Sequence, residues 1–267
     1  MLVTKVLVAL LLLVASASAQ DYNAAPGRPR AAAGHTNYTA TLDYCWMIYT
    51  SGDSAGGLNN PCTTGTDLSI NAGNDAASWA ITPPTGYATG KDAVDGDGAF
   101  SLTFADPGAE PTSWSFGCWL DEGTNTNDVA FVQADAGGAG INMRLKNSTA
   151  EIYDGSSGGG SVGSADGSAI TGWRHVAITY DSANAGADSL RIYINGASAA
   201  TGDGVNPGSV TQPYYIGSNP TPGSFWQGNM YECFYDFNVL SASQVCEISK
   251  YGLAGDADHS SIVGCTP

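Results

Sequence analysis

Positive charge is scarce in this sequence. Nine Lys and Arg stand against 25 Asp and Glu over 267 residues, a formal net charge of −16. So few cations cannot neutralise a phosphate backbone, which excludes a nucleic-acid binder, and an anionic membrane surface repels such a chain. Long apolar runs are lacking too: past residues 6–14, no segment approaches the about 18 apolar residues of a spanning helix. No C-x-x-C pair or histidine cluster accompanies the 6 cysteines, so a structural zinc site is excluded. Glycine (35), tyrosine (13), phenylalanine (7) and tryptophan (6) are plentiful, and 43% of residues are hydrophobic. That is enough to build a core, which excludes global disorder, and the profile suits β-structure with many turns.

The order of features at the start sets the compartment. Lys5, the apolar run Val6–Val14 and the small residues up to Ala19 follow the pattern of a secretory signal peptide, so residues 1–19 are expected to be cleaved. An exported chain with six cysteines favours disulfides. Cys45 and Cys62 lie 17 apart and Cys246 and Cys265 lie 19 apart, which leaves Cys118 with Cys233. The pairing 45–62, 118–233 and 246–265 is one of about 15 connectivities, and spacing does not choose among them. Asn37-Tyr38-Thr39 and Asn147-Ser148-Thr149 are sequons, making Asn37 and Asn147 glycan acceptors in a eukaryotic secretory pathway.

Residues 20–36 are rich in Pro, Gly and Ala without apolar periodicity and are expected to form a flexible lead-in. No later stretch separates domains. The Gly/Ser run 155–167 has strand-like segments on both sides and is expected to be a loop tip within a single domain, 37–267. Trp114, Phe116, Cys118 and Leu120 alternate on one face of a strand, and Arg174–Tyr180 alternates likewise. Leu190–Ile194 runs into Asn195-Gly196, a hairpin turn signal because both residues accept positive φ. One short helix is expected at about 242–251: Ser241 and Gln244 form a capping box, Leu240 and Val245 occupy the staple positions, and Gly252 supplies the left-handed end. The fold class is all-β, a two-sheet antiparallel jelly-roll sandwich with one short C-terminal helix.

Several of these segments together resemble the LamG-like jelly-roll family of the concanavalin A-like lectin/glucanase superfamily. Gly172-Trp-Arg-His-Val-Ala-Ile-Thr-Tyr-Asp181 resembles its W-x-H-V-A-x-x-Y-D strand, and Leu190-Arg-Ile-Tyr-Ile-Asn-Gly196 the L-x-I-Y-x-N-G hairpin that follows. Ser113–Leu120, Tyr215-Ile-Gly217 and Gly228–Ser241 are similar to later family strands, and Asp67–Ile70 and Gly90–Gly96 to early ones. The resemblance implies two antiparallel sheets with a concave face and rim loops. It also implies that strands 113–120 and 230–239 are neighbours, which supports a Cys118–Cys233 bridge. Related folds often carry a rim calcium. Asp95-Gly-Asp-Gly98 offers two carboxylates on one loop, so Asp95 and Asp97 are the candidate ligands, although Tyr231 replaces the aspartate of the family's I-D-E motif.

Catalytic chemistry is hard to place. Glycosidases of this superfamily flank one bond with carboxylates about 5 Å apart, whereas no two of the five Glu here lie within four residues of each other. Glu232 and Asp236 share a strand but are separated by about 13 Å at four extended steps, too far for retaining geometry. Ser54 sits in a G-x-S-x-G match, but Gly57–Pro61 follows where the motif needs a helix. His175 is expected to be a packed structural histidine. Sugar recognition uses aromatic platforms beside polar groups. If Cys118 and Cys233 pair, Trp119, Glu232 and Phe234 share the other face of that sheet, while Phe225 and Trp226, flanked by glycines, are loop-tip candidates with Trp226 the more exposed. The expected function is a secreted, non-catalytic binding or adhesion module for a glycan or an extracellular protein, not inserted in a membrane, with calcium as the one candidate cofactor. The alternatives are a polysaccharide hydrolase or lyase of the same superfamily, and a structural subunit of an extracellular surface or appendage.

Overall fold

The structure is a computed structural model. It describes residues 35–46, 62, 69–70, 84–87, 94–95, 102–104, 112–121, 127–134, 140–146, 149–154, 160–164, 172–184, 188–202, 214–218, 226, 228–255 and 257–263, all within one compact unit. The strands are β1 (Tyr44–Trp46), β2 (Ser69–Ile70), β3 (Val94–Asp95), β4 (Leu102–Phe104), β5 (Ser113–Asp121), β6 (Asn127–Ala134) and β7 (Gly140–Lys146). They continue as β8 (Thr149–Asp154), β9 (Gly160–Ser164), β10 (Arg174–Asp181), β11 (Leu190–Ile194), β12 (Ala197–Gly202), β13 (Tyr214–Ile216) and β14 (Asn229–Asp236), followed by helix α1 (Ala242–Tyr251).

Two seven-stranded sheets result. The first runs β1-β14-β5-β10-β11-β12, with β3 also on β14; the second runs β2-β4-β13-β6-β7-β8-β9. Every pairing is antiparallel. This is the jelly-roll sandwich expected from the strand patterns. Part of the Gly/Ser run expected to be a loop tip is instead strand β9, paired with β8. Its small residues offer no alternation by which a strand is recognised.

Period-two patterning sends one face of the first sheet inward. Trp114, Phe116, Cys118 and Leu120 of β5 pack with Val176, Ile178 and Tyr180 of β10. From the second sheet Phe104, Phe131, Met143, Tyr214 and Ile216 meet them. Rings stack across the layer, as in Phe116 on Phe131 at 4.1 Å between centroids. The Asn195-Gly196 turn forms as expected, with φ of 51° and 77°. Its tip is fixed to β10, because Asn195 N donates to His175 O at 2.7 Å and Asn195 Oδ1 accepts from His175 N at 3.0 Å.

The other face of this sheet is also covered. Helix α1 forms with both capping-box bonds between Ser241 and Gln244, and Gly252 N closes on Ile248 O at 2.8 Å. Val245 and Ile248 bury against Ala177, Tyr193 and Phe234. Residues 252–255 and 257–263 then cover the same face, placing Ile262 on Trp119 and Tyr231. Two disulfides, Cys45–Cys62 and Cys118–Cys233, are those paired in the sequence reading. Cys246 is disulfide-bonded as well, and Cys265 lies outside the described residues. Among the described residues no helix is long and apolar enough to cross a membrane.

Candidate functional site

The outward face of β5, β10 and β14 carries the buried polar residues His175 and Glu232. The β10–β5 register places His175 directly opposite Trp119, and Tyr231 of β14 lies on the other side of Trp119. A bulge in β14 sets Glu232 and Cys233 against Cys118 alone. The extra residue lets Cys233 reach the core disulfide while Glu232 turns outward at φ 45°, a backbone region that a bulge can impose on a non-glycine residue.

Glu232 is buried. Its Oε2 accepts from the Tyr87 hydroxyl and from Leu253 N at 3.1 Å. Gly252 seals this contact: a Cβ there would lie 2.9 Å from the Tyr87 hydroxyl and 3.0 Å from Glu232 Oε2. The carboxylate is thus an anchor for the chain that leaves α1.

Two buried histidines flank Trp119. His259 is 4.3 Å from the indole and 4.8 Å from Tyr87 between ring centroids, and His175 is 5.6 Å from the indole. The Thr85 carbonyl, an acceptor only, lies 2.5 Å from His259 Nδ1, so that nitrogen carries the proton. Ser249 donates its hydroxyl to Val245 O at 2.9 Å, which leaves its Oγ to accept from His175 Nδ1 at 2.6 Å. Both imidazoles therefore present a bare Nε2 lone pair, and neither Nε2 nor Trp119 Nε1 has a hydrogen-bond partner. Burial, reinforced by repulsion from His259, pushes His175 down to about 3. Burial pushes His259 down to about 4, against the opposing effects of the Thr85 bond and Asp258. Both rings are neutral at pH 7.

This geometry limits the chemistry. Ser249 and His175 are in contact as a nucleophile and base would be, but both are fully buried and the serine proton is committed to a helix carbonyl. The pair holds α1 on the sheet. His175 is the packed histidine that its strand context led us to expect.

A carboxylate pair lies where β1 and β14 meet. Asp43 Oδ2 accepts from Phe237 N at 2.9 Å, and Asp236 Oδ1 accepts from Asn238 N at 2.7 Å. Burial raises the Asp236 pKa and the Asp43 charge adds to that, against the hydrogen bonds from Asn238.

The sequence-derived candidates are dispersed. Trp226, expected to be exposed, is fully buried between the sheets, because its backbone bond to Gly217 draws the indole into the core. Trp119 is buried beneath His259 and Ile262, and Glu232 beneath Gly252 and Leu253. Sequence reasoning placed Trp119 and Glu232 on one face but missed the chain covering it. Asp95 lies in β3 opposite Asn229, which in turn pairs with Asp121 of β5 and donates Nδ2 to its Oδ2 at 3.3 Å. This row of oxygen-bearing residues suits a hard cation in donor type. Among the described residues, however, no group of three His, Cys, Asp or Glu is arranged to hold a metal ion. Asp97, Phe225, Ser54 and Asn147 lie outside the described residues. Asn37 caps the 3-10 turn Tyr38–Ala40, its Oδ1 accepting from Thr39 N at 3.1 Å and from Thr39 Oγ1 at 2.6 Å.

Solved structures with this architecture include both binding domains and glycosidases. Domain 4 of AbnA, a GH43 extracellular arabinanase from Geobacillus stearothermophilus in complex with arabinotriose, is similar at TM-score 0.60 and 19% identity, over 79% of this chain and 100% of that one. The receptor-binding domain of botulinum neurotoxin C/D mosaic serotype is similar at TM-score 0.54 and 14% identity, over 80% of this chain and 51% of that one. Trypanosoma rangeli sialidase with the inhibitor DANA follows at TM-score 0.51 and 14% identity, over 81% of this chain and 34% of that one. This chain thus spans about half of the neurotoxin domain and a third of the sialidase. No curated protein matches the sequence. Residues 94–246, more than half of the chain, match the Laminin_G_3 family model. The chain therefore belongs to the Laminin_G_3 family of the concanavalin A-like lectin/glucanases superfamily.

Proposed function

We propose that this protein is a secreted, non-catalytic binding module for a glycan or an extracellular protein. The observation that carries the reading is the full-length correspondence with an arabinotriose-binding arabinanase domain, all of which is matched by this one chain. Two further points support it. The neurotoxin neighbour is a receptor-binding domain. The polar groups most suggestive of acid–base work, Glu232, His175 and Ser249, are spent on holding α1 and the segment after it. The ligand surface then lies away from the covered outer face, on the second sheet or the rim loops. Phe225, Asp95 and Asp97 are the positions carried forward, the two aspartates as ligands for a calcium ion. Removal of residues 1–19, a domain spanning 37–267 and glycans on Asn37 and Asn147 complete the reading.

A glycan array probed with the mature protein, with and without calcium, tests it. Arabino-oligosaccharides and sialylated glycans belong on the array. Retention on at least one glycan class is expected, and silence in both conditions removes the glycan-binding reading. The sialidase neighbour favours one alternative, a glycosidase, for which sugar release from a polysaccharide panel is the readout.

A further inference from the structure

Residues 252–255 and 257–263, as described, contain no helix or strand, yet they cover a sheet face. Among the described residues their backbone ties to the rest of the domain are Gly252 N to Ile248 O at 2.8 Å, Tyr38 N to Leu253 O, Ala257 N to Tyr251 O and His259 N to Lys250 O, each at 2.9 Å, Asp258 N to Gly86 O at 3.4 Å, and Leu253 N on the Glu232 carboxylate. The remaining attachment is side-chain packing by Leu253, Ala257, His259 and Ile262, all buried. His259 is central to it, wedged between Trp119 and Tyr87 with its Nδ1 on Thr85 O. The second histidine, His175, stands across Trp119 and receives α1 through Ser249.

A proton added at either Nε2 finds no acceptor, because neither nitrogen has a partner. The groups facing each ring decide whether its charge can be held. Around His259 these are Asp258 in the chain, Tyr87 with its partner Glu232, the uncharged Trp119 of β5, and His175 of β10. Around His175 they are Ser249 of α1, Trp119 of β5, Phe234 of β14 and His259. Asp258 offers His259 a favourable charge. The other histidine, once protonated, repels it.

We infer that residues 252–263 form an acid-released latch, keyed by His259 with His175 behind it, whose opening uncovers Trp119 and Tyr231 on an otherwise closed sheet face. His259, the less buried of the two and on the irregular segment, charges first, at about pH 4; His175 follows near 3. The segment belongs to no helix or sheet ladder, so it can open without breaking one.

Hydrogen exchange by mass spectrometry on the mature protein, from about pH 7 to about pH 3.5 and corrected for intrinsic rates, reads this directly. Peptides from 252–263 should lose protection as pH falls, by up to about 300-fold at full titration of His259, since each displaced pKa unit is a factor of ten. Peptides from β5 and β10 open only with the whole domain; linkage through His175 lowers their protection too, but they should stay far better protected than the latch at every pH in the window. His259→Phe, which cannot charge, should flatten the pH dependence. The inference is overturned if 252–263 stay protected, if all regions open together, or if His259→Phe keeps the wild-type pH response. Should that variant fail to fold, NMR titration of the wild-type His259 ring decides the matter. Its protonation must coincide with the loss of protection, and titration without opening sinks the latch.

Discussion

Substituting Gly196 by alanine measures how firmly the β11–β12 hairpin is packed on α1. Gly196 has φ of 77°, and an added Cβ would sit 2.7 Å from Cys246 Cα, 3.0 Å from its Sγ and 3.2 Å from its Cβ. Two penalties combine. The left-handed backbone disfavours an L-residue by about 1–2 kcal/mol, and the overlap with a helix backbone that cannot swing aside adds about 1–3 kcal/mol. A loss near 3 kcal/mol lowers the Tm of a domain this size by roughly 6–12 °C. Gly172 supplies the control, because it has φ of 72° but nothing within 4 Å of the added Cβ. Gly172→Ala therefore carries the backbone penalty alone, and any gain from a stiffer unfolded chain is common to both variants. Differential scanning calorimetry of the two variants isolates the packing contribution, expected near 2 kcal/mol or roughly 4–8 °C. Equal Tm values would refute the reasoning, since they would mean that the hairpin tip and the helix do not press on each other.

The remaining expectations are smaller in scope. Ser115 Oγ accepts from Leu240 N and donates to Asn238 O, each at 2.8 Å, so Ser115→Ala strands two backbone groups and should cost about 2–4 kcal/mol in a denaturant melt; a loss below about 0.5 kcal/mol contradicts that bridge. Replacing Cys118 and Cys233 together by alanine opens a loop of 115 residues and should lower unfolding stability by about 2–5 kcal/mol, with the folded circular dichroism spectrum retained. His175 is depressed in the folded state, so the unfolded chain takes up its proton first; its stabilisation is full above about pH 6.5 and is lost on acidification toward pH 3, on the order of 5 kcal/mol in all. A stability curve that is flat across that window counts against a buried neutral imidazole. Asp236 has the opposite sign, being raised when folded, so Asp236→Asn should raise the Tm at pH 7 and give no gain in acid, where wild-type Asp236 is already protonated.

Much of the frame was legible before the structure. Alternation at Trp114–Leu120 named the inward face, the Ser241/Gln244 box located α1, and Asn195-Gly196 fixed the hairpin, each because a local conformation demands particular residue types. Two parts were not. Strand β9 is built of glycine, serine and valine and has no alternation to read. The covering of the outer face was hidden because residues 252–263 have no period, and what places them is contact with residues far away in sequence, such as Leu253 N with Glu232 and Asp258 N with Gly86 O. The same blindness misplaced Trp226, whose flanking glycines suggested an exposed tip while a bond to Gly217 O turns it inward. The candidate site was therefore recognised as residues but not as surfaces.

The position of β14 has a consequence for how the chain comes to be made. It is the last strand described, yet it sits inside the first sheet, between β1 and β5. During vectorial synthesis every other strand of that sheet emerges before it. Until residues 229–236 arrive, β5 and β1 each present an open edge toward a vacant slot, and Cys118 waits without Cys233 while Cys45 and Cys62 are already available for exchange. Even then the N-terminal turn is not secured, because Tyr38 N bonds to Leu253 O at 2.9 Å and the Tyr38 hydroxyl to Glu247 Oε2 at 2.7 Å. Maturation is thus governed by its final stretch. A nascent chain stalled before residue 229 would hold an incomplete sheet with one reactive thiol inside it, the state in which an oxidoreductase or a chaperone has most to do.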